Sequence, residues 1–403
     1  MASYKYSVYN SAKRNSGRRG QRSGGGQRRG EYISPDRFVA VAKPTQAEDY
    51  TAKHRFEDFA VDAVIHRNLV AKGFEVPSPI QDQTIPLAIE GNDIIGIANT
   101  GTGKTAAFAI PVIHGLITRQ NARALIVAPT RELAQQIEVE CRSIGKGGGF
   151  TGAVLIGGTG MGGQLRDLRA KPRLVIGTPG RIKDHMERGT LKLDQFNMVV
   201  LDEVDRMLDM GFLPDVSYIL KALAPVRQSF FFSATMDPRV QGLIRTFSND
   251  PQTVSVKSSD GSDHVNQDVV RYSGTHEKLD KLHEILIKDE VAKVIVFDET
   301  QRSVEKLSNE LVSRGFPADA IHGGKSQGQR QRALDSFKKS RTKILVATDV
   351  AARGIDVIDI THVINYSQPQ SYQDYVHRIG RAGRAGRVGH ALTFVNRQLF
   401  RAS

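Results

Sequence analysis

Two stretches of this chain carry residue types that could handle a phosphate. In the first, Gly101-Thr102-Gly103-Lys104-Thr105 follows a short apolar run at 94–97 and Asn99-Thr100, and opens a helical pattern. Glycines at a strand-to-helix turn let backbone N–H groups approach phosphate oxygens, and a helix N-terminus favours negative charge. Lys104 would reach the β- and γ-phosphates of a nucleotide, and Thr105 would ligate Mg²⁺. Ala98 stands where the general pattern has glycine, so the loop misses the bare consensus by one position. In the second stretch, an apolar run ending at Leu201 delivers Asp202-Glu203-Val204-Asp205 at a strand's C-terminal end, where ligands of open α/β sheets bind. Asp202 can hold a Mg²⁺ shell, partly through water, and Glu203 can orient or deprotonate an attacking water. Carboxylates at a helix start are also favourable on electrostatics alone. The buried strand before them and the Gly103-Lys104-Thr105 loop favour the catalytic reading.

The elements needed to position these groups are legible. Apolar runs at 93–97, 124–128, 153–156, 174–176, 198–201 and 230–232 alternate with helix-length stretches such as 105–116, 132–143 and 216–224. Runs without polar alternation suit strands covered on both faces, as in a parallel sheet. Strand and helix in alternation imply an open α/β fold. A polar stretch at 257–264 interrupts the pattern and reads as a linker. Strands are then expected near 269–272, 294–297, 344–347, 362–365 and 391–395, with helices over 276–287, 302–314, 326–338 and 371–379. The division that follows is a tail at 1–50, a first domain at 51–257, a linker at 258–266 and a second domain at 267–403. Two similar halves on a hinge make a cleft that opens and closes.

Composition narrows the class. The net charge of +13 points toward a polyanionic partner, most simply nucleic acid. Many basic proteins bind none, so charge alone decides little. Cys141 is the only cysteine, which excludes an intrachain disulfide and, in a helical pattern, reads as a structural thiol. No apolar run approaches the ~18 residues of a membrane span, and the start lacks the hydrophobic core of a secretory signal. A cytoplasmic protein is expected. The first thirty residues are nonetheless free of acid and rich in Ser and Arg, as organellar transit peptides are, although their glycines argue against an amphipathic helix. The tail carries Lys5, Lys13, Arg14, Arg18, Arg19, Arg22, Arg28 and Arg29 and is expected to be disordered. Such a tail can hold phosphates without reading sequence; a solvated leader with no role of its own is the plain alternative.

From Phe56 to about residue 395 the chain resembles the DEAD-box family of ATP-dependent RNA helicases, through matches that are many and ordered. The resemblance implies two tandem RecA-like domains, each an open, mostly parallel α/β sheet with helices on both faces. It implies ATP and Mg²⁺ as cofactors and RNA as partner. Phe56 and Pro77-Ser78-Pro79-Ile80-Gln81 are similar to the adenine-reading segment, with Gln81 on the base edge and Phe56 stacked on it. Pro129-Thr130-Arg131-Glu132-Leu133, Gly157-Gly158 and Thr178-Pro179-Gly180-Arg181 resemble the RNA-contacting motifs of the first domain. Contacts of that kind position a strand without reading bases; singly, each could be turn or capping chemistry. Ser233-Ala234-Thr235 resembles the motif coupling hydrolysis to strand separation, with Asp205 and His377 in the same role; on residues alone it would be an N-cap.

Further matches lie in the second half. The strand at 294–297, Gln327 with Arg330, Ala347-Thr348-Asp349 and Ala352-Arg353-Gly354-Ile355-Asp356 resemble family motifs that place Arg330 and Thr348 at RNA and Asp356 at the ribose. In His377-Arg378-Ile379-Gly380-Arg381-Ala382-Gly383-Arg384, Arg381 and Arg384 stand as arginine fingers. A guanidinium from the other domain stabilises transition-state charge only when the cleft closes; a basic surface helix is the plain alternative. Two positions depart from the family. Val204 replaces Ala, and its side chain is expected to face the core. Ala382 replaces the usual Thr, which removes a hydroxyl and no charge. Few residues follow the last strand, so the second domain's edge is expected to be weakly covered. The activity implied is RNA-stimulated ATP hydrolysis driving local, non-processive unwinding or ribonucleoprotein remodelling, by a monomer, with ribosomal or RNA-decay partners among the candidates. A DNA motor and a nucleotide-binding clamp without turnover are the rivals.

Overall fold

The computed structural model describes residues 33–42, 50–99, 101–256, 264–352, 357, 359–383 and 387–397. The expectations for Thr100, Arg353, Gly354, Ile355, Asp356, Arg384, the basic residues before 33 and most of the linker lie outside the described residues. The first sheet holds β1 (Ile94–Ile97), β2 (Ala124–Val127), β3 (Gly152–Leu155), β4 (Leu174–Gly177), β5 (Met198–Leu201), β6 (Gln228–Ser233) and β7 (Gln252–Ser255). Their order is β3-β4-β2-β5-β6-β1-β7, and every pairing is parallel. The second holds β8 (Val265–Tyr272), β9 (Val294–Phe297), β10 (Ala318–Ile321), β11 (Ile344–Ala347), β12 (His362–Asn365) and β13 (Gly389–Asn396). It runs β10-β11-β9-β12-β13-β8, again all parallel.

Alternate residues along each central strand feed opposite faces. In β2, Ile126 packs into one core with Phe108 and Ile137, while Leu125 and Val127 pack into another with Ile182 and Ile219. β9 divides likewise, Ile295 and Phe297 to one side and Val294 and Val296 to the other. A strand buried on both faces cannot carry polar residues at alternate positions, which is why these runs read as continuous apolar stretches. The RecA-like arrangement with helices on both faces is therefore present in each domain. Cys141 is fully buried, and burial pushes its thiol well up from the usual range, as fits a structural residue.

Three boundaries differ from the sequence expectation. β8 begins at Val265, so residues 265–266 belong to the second domain and not to the linker. β7 and β10 were not foreseen; β7 buries only Val254, so its sequence carries no apolar run. The tail does not extend to residue 50. Phe38 is wholly buried in the second domain's core, and Ala40 forms an antiparallel bridge to Gln267 on the outer edge of β8. Tyr50, Lys53 and His54 converge on the buried carboxylate of Asp82 in the first domain. The apolar residues at 38–42 are too few to show a period, and only Phe38 among them is buried while Val39 and Val41 stay exposed; Ile33 is buried as well. The edge that looked weakly covered is thus capped at β8 by the chain's own N-terminal segment.

Candidate active site

Strand order places the chemistry. Because β5, β6 and β1 are neighbours, the loops leaving their C-terminal ends lie side by side, with Ser233 between Asp202-Glu203 and the glycine loop. Gly103 lies in the left-handed region at φ +91°, and a Cβ there would collide with the Gln81 amide. Only glycine satisfies both constraints. Lys104 opens the helix Lys104–Thr118, and its ammonium donates to Ala98 O at 2.9 Å. Thr105 follows in the first turn, half-buried, and Gly101 also has positive φ.

The segment expected to read adenine braces this loop. Gln81 Nε2 donates to Gly103 O at 3.0 Å, Gln81 Oε1 accepts from Ser78 N at 2.8 Å, and Ser78 Oγ donates to Thr102 O at 2.8 Å. Both ends of the Gln81 amide are thus occupied by backbone, one of them by the phosphate loop itself. Phe56 is 4% exposed and meets Phe59 and Phe74 edge-on, so it is first a core residue. It also borders a cleft of about 350 Å³ shared with Phe74.

The two acids are shifted in opposite directions. Burial pushes the Asp202 carboxyl up to about 6, with Lys104 opposing. Burial would also raise Glu203, but the Arg206 guanidinium, then Lys104 and Arg381, bring it down to about 2. Arg206 Nη1 donates to Glu203 Oε2 at 2.7 Å, both side chains being buried. Glu203 itself sits at φ +52°, a strained position for a residue with a Cβ. That conformation lets it leave β5 abruptly and start the helix Val204–Asp209, whose Val204 points into the core as expected. The Asp202 carboxylate and the Thr105 hydroxyl are hard-oxygen groups of the kind that suit Mg²⁺ alongside waters and phosphates. Asp205 Oδ2 accepts from Ala234 N, Thr235 N and Thr235 Oγ1 at 3.0–3.2 Å, and Asp205 N donates to Ser233 Oγ. Ser233 ends β6 and caps no helix, so Ser233-Ala234-Thr235 ties β6 to the acid motif.

The second domain closes over these groups. Arg381 lies close enough to help hold Glu203 ionised. Burial, then Arg206, push His377 down to about 4, with Asp205 and Glu203 also in range. His377 is therefore neutral near pH 7. Arg378, in the same arginine-rich run, has a different task. It binds both oxygens of Asp349 at 2.6 and 2.7 Å, donates to Asn365 and Ser367, and lies over Phe297.

On the opposite side of the cleft, Thr130 caps the helix Arg131–Ile144 through Leu133 N, whereas Thr178 begins the helix Pro179–Glu187 with no side-chain cap. Of the two plain alternatives, capping holds for Thr130 only. A Cβ on Gly158, at φ +75°, would collide with the Arg131 guanidinium. Arg181 donates to Thr159 O, Pro129 is buried at the end of β2, and Thr348 is half-buried after β11. Arg330 does not face outward as an RNA contact should. It is 7% exposed and pairs with Glu132 across the cleft at 2.9 Å, beside hydrogen bonds from Gln327 to Glu132 and Gln135. Sequence reading missed Arg206, although its spacing of three from Glu203 on a helix start was a usable signal. It could not foresee the Arg330–Glu132 pair, which joins distant segments.

Two outcomes follow here. Truncating Arg330 to Ala leaves Glu132 buried and unpaired only in the closed form, a cost of about 3 kcal/mol or more. RNA affinity measured with a non-hydrolysable ATP analogue should therefore fall by about 100-fold, with far less change in its absence; equal losses in the two conditions would contradict the assignment. Second, Glu203 stays ionised to about pH 2 whereas Asp202 takes up a proton near 6. The acid limb of kcat/KM for ATP, which reports the free enzyme, is expected near pH 6, and a limb at pH 4 or below would contradict this.

Fold and cleft together define a two-domain α/β protein with a glycine-rich loop at a helix N-terminus, the kind that suits phosphate. Residues 78–243 match the DEAD/DEAH box helicase family and residues 277–386 the helicase conserved C-terminal domain. The chain is 44% identical over 342 residues to the ATP-dependent RNA helicase CshA of Listeria monocytogenes, covering 85% of this chain and 66% of that protein. It is 43% identical over 323 residues to the protein of that name from Limosilactobacillus reuteri, covering 79% and 65%. This chain thus spans slightly less than two-thirds of the length of these relatives. Among solved structures it is similar to Mss116p bound to ssRNA and AMP-PNP, with TM-score 0.77, 30% identity, and 89% and 77% of the two chains covered. S. cerevisiae Dbp5 bound to RNA and ADP BeF3 gives 0.74 at 28% identity, covering 85% and 89%. The chain belongs to the DEAD-box helicase family.

Proposed function

We propose that this chain is an ATP-dependent RNA helicase, hydrolysing ATP in the cleft to separate short RNA duplexes or remodel ribonucleoprotein locally. The observation that carries the reading is the convergence of Lys104, Arg206 and Arg381 on one ionised carboxylate, Glu203, from two domains. ATP would bind with its phosphates in the glycine loop and against Lys104. Glu203 would take a proton from water as its oxygen bonds to the γ-phosphorus, and the β–γ bridging bond would break to leave ADP and phosphate. Arg381, with Arg384 as a second finger, would stabilise the charge that builds on the γ-oxygens. Mg²⁺ held by Asp202 and Thr105 would neutralise charge on the phosphates. Asp356 is proposed at the ribose, Phe56 and Gln81 at the base, and Thr100 to Gly103 around the phosphates.

RNA would lie across Thr130, Arg131, Gly158, Thr178, Arg181 and Thr348, held through its backbone and 2′-hydroxyls. Its binding and that of ATP would each favour closure, and hence each other. Asp205, Ser233, Thr235 and His377 would transmit closure between the two sites. The proteins named above, CshA as an ATP-dependent RNA helicase and Mss116p and Dbp5 with RNA and nucleotide, support this reading. We place the protein in the cytoplasm as a monomer; among the described residues no helix is long and apolar enough to cross a membrane. The test is separation of a short RNA duplex, with ATP required and ADP ineffective. Duplex separation that needs no nucleotide, or none at all in the presence of ATP, would overturn the proposal.

A further inference from the structure

The helix Tyr372–Ile379 carries His377 and Arg378 and runs directly into Arg381, whose backbone N–H bonds to Arg378 O. Ala382 N bonds to Ile379 O in the same turn. Arg381 thus sits in the hydrogen-bonded turn that directly ends this helix, so what seats the helix end also seats the backbone of the finger. Its opposite face is fixed by residues 33–42. Phe38, wholly buried, packs on Tyr375 with ring centroids 4.7 Å apart. The Arg37 guanidinium lies 3.7 Å over the ring of Tyr372, at the start of the helix. Ala40 exchanges two backbone hydrogen bonds with Gln267, at 3.0 and 2.7 Å. Gln267 in turn accepts from the Tyr375 hydroxyl at 2.8 Å. Ala42 N adds a bond to Asn266, and Ile33 joins the same apolar cluster as Tyr375, Ile379 and Ala382.

We propose that residues 33–42 are an integral buttress of the second domain, and that Phe38 and Arg37 are positioning residues for Arg381. The segment contributes nothing to the cleft directly. It fills the space behind the helix, so that the helix has one stable seat. A finger works only when its guanidinium is held near the transition-state charge, and small displacements cost large factors in rate. The proposal rests on the ATPase reading above for its kinetic consequence, but not for the seating itself.

The test uses the full-length chain with Phe38→Ala, the milder Phe38→Leu, and Arg37→Ala, which leaves the core filled. Phe38→Ala is expected to lower kcat of RNA-stimulated ATP hydrolysis by about tenfold, with KM for ATP within about twofold and Phe38→Leu recovering most of the rate. Arg37→Ala should lower kcat by a few-fold. Hydrogen–deuterium exchange of residues 372–383 should speed up in Phe38→Ala and Arg37→Ala, well below the melting temperature. A lowered melting temperature with kcat and exchange of that helix unchanged would mean the segment is structural packing only, and would overturn the proposal. The exchange arm needs no turnover. A wild type without ATPase activity would defeat the functional reading, while the exchange result would still decide the buttress.

Discussion

Glu203→Gln should abolish RNA-stimulated ATP hydrolysis, lowering turnover by about 10²–10⁴-fold, while ATP and RNA still bind. The substitution keeps shape and removes only basicity. In the native site, Arg206 at 2.7 Å, Lys104 and Arg381 outweigh the burial that would otherwise protonate Glu203. A carboxylate so held is a weak base in isolation but is always available, and it is aimed from a strained backbone at φ +52° that the neutral amide can share. Arg206 can still donate to the amide oxygen, so the local fold should survive. Single-turnover hydrolysis and equilibrium binding with fluorescent nucleotide separate the two effects. Loss of nucleotide binding together with hydrolysis would mean that Glu203 holds the site together and does not handle the water.

Arg378→Ala is expected to destabilise the second domain by about 3 kcal/mol, at the lower end of the cost of breaking a buried pair. Asp349 retains 27% of its side-chain exposure and can recover some hydration, which is why the lower end applies. The substitution strands the acceptors of Asn365 and Ser367 and uncovers Phe297. Arg378→Lys should rescue little, because an ammonium cannot reproduce two parallel bonds to one carboxylate. Denaturant unfolding followed through the second domain's transition measures this; a midpoint equal to wild type for Arg378→Ala would contradict it. The contrast with Arg381 is instructive. Two arginines three residues apart in one run divide between holding the domain and reaching the other one.

That division was illegible in the sequence, where the run looked uniformly basic. Much else was legible. Central strands announced themselves because burial on both faces excludes polar residues, and the glycine loop and the acid motif because each directly follows such a strand. Legibility failed where burial is one-sided or the partner is distant. β7 buries a single valine, and the apolar run at 38–42 buries Phe38 while leaving Val39 and Val41 exposed, so neither pattern shows what it packs against. Gln81 carries a bracing role that spacing could not disclose, since its amide meets the glycine loop only through the fold. The pairing of Arg330 was illegible for the same reason: its partner Glu132 lies in the other domain, far away in sequence.

Steady-state ATP hydrolysis with and without single-stranded RNA tests the central claim most directly, with DNA of the same sequence as the control. The account predicts low basal hydrolysis, strong stimulation by RNA and little by DNA, because RNA would favour the closed arrangement in which Arg381 lies near Glu203. Hydrolysis stimulated by DNA alone, or left unchanged by RNA, would contradict it.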